Sequence, residues 1–432
     1  MHLRSYSRRL LAVATVFAAG ASAACDSFNS LLEVENPGVI GEPALGDENL
    51  MDAMVASTIG EFQLAYDDLA LAGAILTDEA VNGHNFDQWR QFDLRYVEHT
   101  NSILASDIYE PIQLARGAAD DYARRLGELL GEDADSDIRL ARVHAYGGYS
   151  YVMLGEYFCE SPVDPESPAL SSAEILALAI DHFDAAIAIA TAADEGAASD
   201  SIIAMARVGA ARAHLWRGET AQAIAYASQV PADFASYVSF SSATADPNNR
   251  MQAATTGASQ YLGVDEAFRN LNDPRVTHIA EPVRGHNGLT DLYTPFQPPS
   301  YSEWVAGEQV PFALGTDIRF TSGLEARYIV AEAQGLTVDN LAFLNERRGV
   351  GGQGAILIGA LTEDGYQAEL RDQRRRDFYL DGHRLGDLRR YIDQYGVDEF
   401  PSGAHPNTEW GSYGTATCFV PHNNERIGNP SY

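Results

Sequence analysis

The sequence predicts a mostly α-helical protein built from tetratricopeptide-like hairpins, with one loop-rich part set into the helical series. Three observations carry this. Apolar residues recur three and four apart over several long stretches, as in helices that bury one face. Small residues repeat at hairpin spacing in Ala211-x3-Leu215-x2-Gly218-x4-Ala223-x3-Ala227, which lets antiparallel helices approach closely. From about 231 to 321 the helical period gives way to aromatic and polar runs rich in proline, glycine and asparagine.

In chain order, residues 1–24 have the form of an export signal: Arg4, Arg8 and Arg9, an apolar run over 10–19, then small residues before Cys25. The run is too short to span a bilayer as a stable anchor, and no later stretch approaches 18 apolar residues. Cys25 stands where a bacterial lipoprotein carries its acylated cysteine. The usual large apolar residue three places earlier is Ser22, and Ala21-Ser22-Ala23 also suits a signal peptidase that leaves the chain unattached. Residues 25–48, with Pro37 and Pro43, show no helical period and read as a tether to a domain over 49–432.

Helices are expected over 49–74, 101–130 and 137–157. Ser171 and Glu174 form a capping box that should open a helix running to about Ala193. A second helix over 201–217 breaks at Gly218, and a third over 219–229 stops before Pro231. These make up hairpins over 137–230. Another pair is expected over 322–348, started by Ser322 and Glu325 and broken at Gly335. The loop-rich part between the two groups is where recognition would sit, since a helical scaffold fixes its base while its tips vary; irregular packing against the scaffold is the other reading.

The formal net charge is −32, from 61 acidic residues against 29 basic ones, and every basic residue is arginine. Such a surface repels polyanions, which argues against nucleic acid, while a neutral ligand is indifferent to it. Catalytic and cofactor patterns are missing: there is no Walker A loop, HExxH, GxSxG or paired CxxC, and the 11 histidines lack ligand spacing. Gly349-Val-Gly351-Gly-Gln-Gly354 fits a dinucleotide fingerprint but follows an arginine-rich helix end, where glycine stops a helix. No metal site is called for, and no cofactor. Two carboxylates at a set separation suffice for glycoside hydrolysis, so a secreted glycan-active hydrolase remains the alternative.

Residues 373–392 read QRRRDFYLDGHRLGDLRRYI. This segment resembles the C-terminal signature of the SusD/RagB family, usually of the form ERRRELAFEGHRWFDLRR. Arg374, Arg375, Arg376, Gly382, His383, Arg384, Asp387, Leu388, Arg389 and Arg390 agree; Asp377 and Asp381 replace glutamates; Gln373 and Leu385-Gly386 depart. The likeness extends to Leu32-x-Val34-x-Asn36-Pro37 and to a close at Cys418-Phe419-Val420-Pro421, Glu425 and Asn429-Pro430. It implies a SusD-like fold with a loop-rich ligand-binding part, displayed at the cell surface on the outer membrane through a lipid on Cys25. It further implies a lid that captures an oligosaccharide or peptide for a SusC-like TonB-dependent barrel and catalyses nothing. Read from its residues alone, the 373–392 segment is a packed ion network, with Asp377, Asp381 and Asp387 within one helical turn of the arginines.

For sugar capture the relevant groups are flat aromatic faces beside carboxylates and amides. Trp304, Tyr301, Tyr293 and Trp89 fit this, each with a place in the core as the competing role; Trp216 and Trp410 fit less well. In an exported chain Cys159 and Cys418 are either a disulfide or two unrelated buried thiols. A bridge would close a very long loop, rated by the chain-entropy account at roughly 4 to 5 kcal/mol.

Overall fold

Local chemistry sets where the helices start. In the computed structural model, which describes residues 50–243, 248–256 and 260–431, the Ser171 hydroxyl accepts the Glu174 amide and the Glu174 carboxylate accepts the Ser171 amide at 2.8 Å. Three further starts are capped singly: Asp137 accepts from the Arg139 amide, Thr337 from Asn340 and Thr362 from Gly365. Residues 1–49, with Cys25 and the tether, lie outside the described residues.

The principal helices are α1 (Met51–Leu76), α2 (Glu110–Leu130), α3 (Ile138–Tyr157), α4 (Ser172–Ala193), α5 (Ala197–Trp216), α6 (Thr220–Ala227), α7 (Gly323–Gln334), α8 (Val338–Val350), α9 (Glu363–Asp377) and α10 (Arg384–Tyr395). Each of α2 to α6 packs on its predecessor, and α7 packs on α5 and α6, which makes a hairpin array. Where α3, α4 and α5 meet, Phe183 lies between Gly148 and Gly209. A methyl group on Gly148 would stand 2.6 Å from the Phe183 ring and one on Gly209 would overlap it, so both positions require the bare backbone. By length and composition α4 could cross a membrane, contrary to the sequence expectation, but here it packs between α3 and α5.

Two departures have clear causes. The helix expected over 101–130 begins with a π-helical stretch, Leu104–Tyr109, just before Pro111, which has no amide hydrogen to donate to Asp107. Ser322 caps α7 as expected, accepting the Glu325 amide at 3.2 Å, but Glu325 does not reach back. Its buried carboxylate lies 3.3 Å from His383 Nε2 and 3.7 Å from Arg212 instead. The glycine run after α8 is a turn in which Arg348 Nε donates to the Gly354 carbonyl, so it stops the helix.

The loop-rich part is closed at its stem by its own ends, since Ala235–Val238 pairs antiparallel with Ile318–Ser322. Inside it, Leu262–Val264 pairs with Ala80–Asn82 after α1, and Val283–Arg284 pairs with Asp291–Leu292. Far-separated segments also meet at Cys159 and Cys418, which form a disulfide with Cα atoms 5.3 Å apart beside a Phe158–Phe419 bridge.

The arginine-rich segment corrects its expectation. It is two helices, α9 and α10, joined by a turn in which Leu380 takes φ +59° and Gly382 φ +90°. Three tyrosine hydroxyls hold this turn: Tyr301 donates to Leu380 O (2.6 Å), Tyr66 to Asp381 O (2.7 Å) and Tyr157 to Gly382 O (2.9 Å). Arg390 and Asp387 do pair one turn apart, and Arg375 and Arg376 pair with Asp372. Most partners, however, come from distant elements. Arg384 binds Asp78, Arg376 binds Asp273, Arg390 binds Glu332, and Asp377 accepts from Arg275, Arg347 and Tyr328. Asp381 accepts from His383 and Ser300. Arg389 donates to the carbonyls of Gly155, Glu156 and Phe158, satisfying the end of α3.

Candidate functional site

The four aromatics singled out from the sequence do not share one surface role. Tyr301 is 3 % exposed, with its hydroxyl on Leu380 O and its ring edge-on to Phe312, so it is a core residue rather than a ligand contact. Tyr293 is half-buried, its ring covered by the Arg269 guanidinium at 4.6 Å and flanked by His278. Trp304 is half-buried with its indole N–H enclosed and without a hydrogen-bond partner. Trp89, only 5 % exposed, packs on Phe92 and lies 6.0 Å from Tyr261; it is a floor under other rings rather than a contact face.

Those other rings form the candidate site. Three loops are stitched together by backbone bonds: Gly83 N donates to Tyr261 O, Asn287 N to Gly83 O (2.8 Å), and His286 N to Gln260 O (3.2 Å). Such a crossing needs glycine, because a Cβ on Gly263 would stand 2.9 Å from Leu292 Cα and one on Gly285 2.9 Å from Gly83 Cα. The crossing brings His84 within 4.3 Å of Phe86, 4.9 Å of Tyr261 and 5.8 Å of His286, centroid to centroid. Phe86 is 54 % exposed and His286 is exposed, so the result is an open aromatic strip with Trp89 beneath it.

A charged group adjoins the strip at Tyr261, whose hydroxyl is pushed up by burial and by the nearby Asp68. Arg250 donates its backbone amide to Asp67 at 2.9 Å and directs its half-exposed guanidinium to Asp68 at 3.3 Å. Burial raises both carboxylates; Asp68 raises Asp67 further, and Asp107 acts on Asp68 in the same direction. A small cavity of about 240 Å³ lies alongside, lined by Thr255, Gln260, Ile279, Val283, Phe296 and Phe312. Flat rings, a guanidinium and a carboxylate side by side can stack on a sugar face and exchange hydrogen bonds with its hydroxyls. Among the described residues no group of three or more histidine, cysteine or acidic side chains is placed to hold a metal ion.

Sequence reasoning reached Trp89 and missed Phe86, His84, Tyr261 and His286. Their only sequence signal is a Gly-His pair at 83–84 and again at 285–286, which gains meaning once the two loops are known to cross.

No family model matches the sequence, and no curated protein does. Solved structures do match. Surface glycan-binding protein A from Bacteroides uniformis superposes with a TM-score of 0.66 at 14% identity, covering 89% of this chain and 99% of that one. A SusD superfamily protein from Bacteroides vulgatus ATCC 8482 gives 0.62 at 14% identity, over 89% and 98% of the two chains. A laminarin-binding SusD-like protein gives 0.60 at 13% identity, over 89% and 100%. The mostly helical array, the stem-closed loop insertion and this likeness along nearly the whole chain establish that the protein has the SusD fold.

Proposed function

We propose that the protein is a surface-displayed glycan-binding lipoprotein that captures an oligosaccharide for a TonB-dependent outer-membrane barrel of the SusC type and performs no chemistry. One observation carries the reading: an exposed ring surface beside an Asp68–Arg250 pair, standing on a fold whose solved examples include a surface glycan-binding protein and a laminarin-binding protein. The export signal over 1–24 and Cys25 supply the route and the anchor, and the barrel supplies the transport. In this role the protein closes over the barrel as a lid.

The test compares two aromatic variants of the mature chain by affinity electrophoresis and calorimetry against a glycan panel. Phe86→Ala should lower glycan affinity about tenfold or more, as expected for loss of a stacking face, and leave the melting temperature within a degree or two. Tyr301→Phe should do the reverse, costing about 1 kcal/mol of stability through the lost bond to Leu380 and leaving affinity unchanged. Release of shortened sugars by the wild-type chain, or equal effects of the two substitutions on binding, would contradict the proposal. For the partner, detergent extracts of the native membrane should yield the protein together with a large β-barrel.

A further inference from the structure

The glycan-capture reading leaves open which glycans the strip accepts, and the charges around it bear on that choice. Among the described residues, each arginine bordering the strip already has a carboxylate of its own. Arg90 is held by Asp87 one turn away, Arg284 by Asp291 at 3.1 Å and Arg250 by Asp68 at 3.3 Å. Arg250 also lies in the field of Asp67 and Asp107, so three acids surround one guanidinium. His84, at the centre of the strip, adds no standing positive charge. His84 Nδ1 accepts the Phe86 amide, which leaves the ring neutral, and burial together with His286 pushes its pKa below the ordinary value.

Resting on that reading, we propose that the strip selects uncharged glycans and turns away uronate- or sulfate-bearing ones, with the Asp68–Arg250 pair reading sugar hydroxyls as acceptor and donor. An anionic glycan would have to displace a carboxylate from one of the paired arginines, and it would approach a chain carrying a formal charge of −32. A neutral ring meets neither cost. Its hydroxyls donate to Asp68 and accept from Arg250, while its apolar face lies on Phe86 and Tyr261. The pair is already assembled before binding, so little side-chain ordering remains to oppose association.

The experiment titrates the mature chain with neutral oligosaccharides (β-glucan, α-glucan, xylan and mannan), with polygalacturonate and a sulfated galactan, and with chitosan oligomers, at low and at physiological salt. The expected result is binding to at least one neutral glycan and none to either polyanion, even at low salt, where an exposed cationic site would show most strongly. Arg250→Met should weaken the neutral ligand roughly tenfold, the usual effect of losing a hydrogen bond to a charged group, and Arg250→Lys should weaken it too because an ammonium lacks the guanidinium fork. Circular dichroism confirms that each variant is folded. A polyanion or chitosan bound as tightly as the best neutral glycan overturns the selectivity while leaving glycan capture standing, and so does unchanged affinity in folded Arg250→Met. Failure of every glycan to bind sinks the capture reading, and this inference with it.

Discussion

At the scale of single residues, the packing of Phe183 against two glycines sets a tight steric demand. The Gly209 Cα has no room for a methyl group against that ring, and Gly148 comes close to the same ring from α3. Gly209→Ala should therefore cost about 1–3 kcal/mol, the usual penalty for overpacking a core that cannot relax. Urea denaturation measures it; a shift within error of zero would mean that α4 moves freely relative to its neighbours. The exposed Gly196 and Gly131 have open space around them, yet both take a positive φ, so alanine there strains the backbone by a different route.

Among the elements, α9 and α10 depend on buried ion pairs whose charge state is fixed by their partners. Burial alone would raise the Asp387 carboxyl, but Arg374 and Arg390 outweigh it and hold the group down at about 2. A depressed folded-state value contributes stability at pH above the ordinary carboxylate range and loses it as pH falls through the depressed value. The contribution, about 2 kcal/mol for a shift of this size, should thus disappear between roughly pH 4 and pH 2. Asp387→Asn should flatten the pH dependence of the unfolding free energy in that window and lower stability at neutral pH, because Arg374 and Arg390 would be left buried without their shared anion. An unchanged acid limb in the variant would show that other carboxylates govern acid unfolding. His383 runs the opposite way: Asp381 and Glu325 raise its value against burial, so its contribution is present at acidic pH and fades as pH rises.

For the whole molecule, the disulfide is the long-range tie. It joins the segment after α3 to the C-terminal run across a separation of 259 residues, next to a backbone bond from Cys159 N to Phe419 O. Reduction should lower the unfolding free energy by roughly 2–5 kcal/mol by releasing loop entropy in the unfolded chain. Cys159 is exposed and Cys418 is buried, so the bridge is approached from the Cys159 side. Thermal melts of oxidised and reduced chain, and of Cys159→Ser with Cys418→Ser, provide the measurement; coincident curves would show that the native packing of Phe419 alone fixes the C-terminal run.

What the sequence determined by itself was the chemistry that acts over one or two helical turns. The Ser171–Glu174 box, the stops at Gly218 and Gly335 and the hairpin spacing of small residues each place a helix boundary within a few residues, because the atoms involved are neighbours in the chain. Tertiary structure decided everything that needs residues far apart to meet. Arg384 finds Asp78 across 306 positions and Arg390 finds Glu332 across 58, so an arginine run that reads as a self-paired helix is in fact a hub for the whole domain. The same holds for the site: Tyr301 and Phe86 are equally aromatic in the sequence, yet one ring is enclosed by the turn after α9 and the other stands in solvent where three glycine-bearing loops cross. Exposure is a property of the packed whole, since it depends on which surfaces the rest of the chain has already covered.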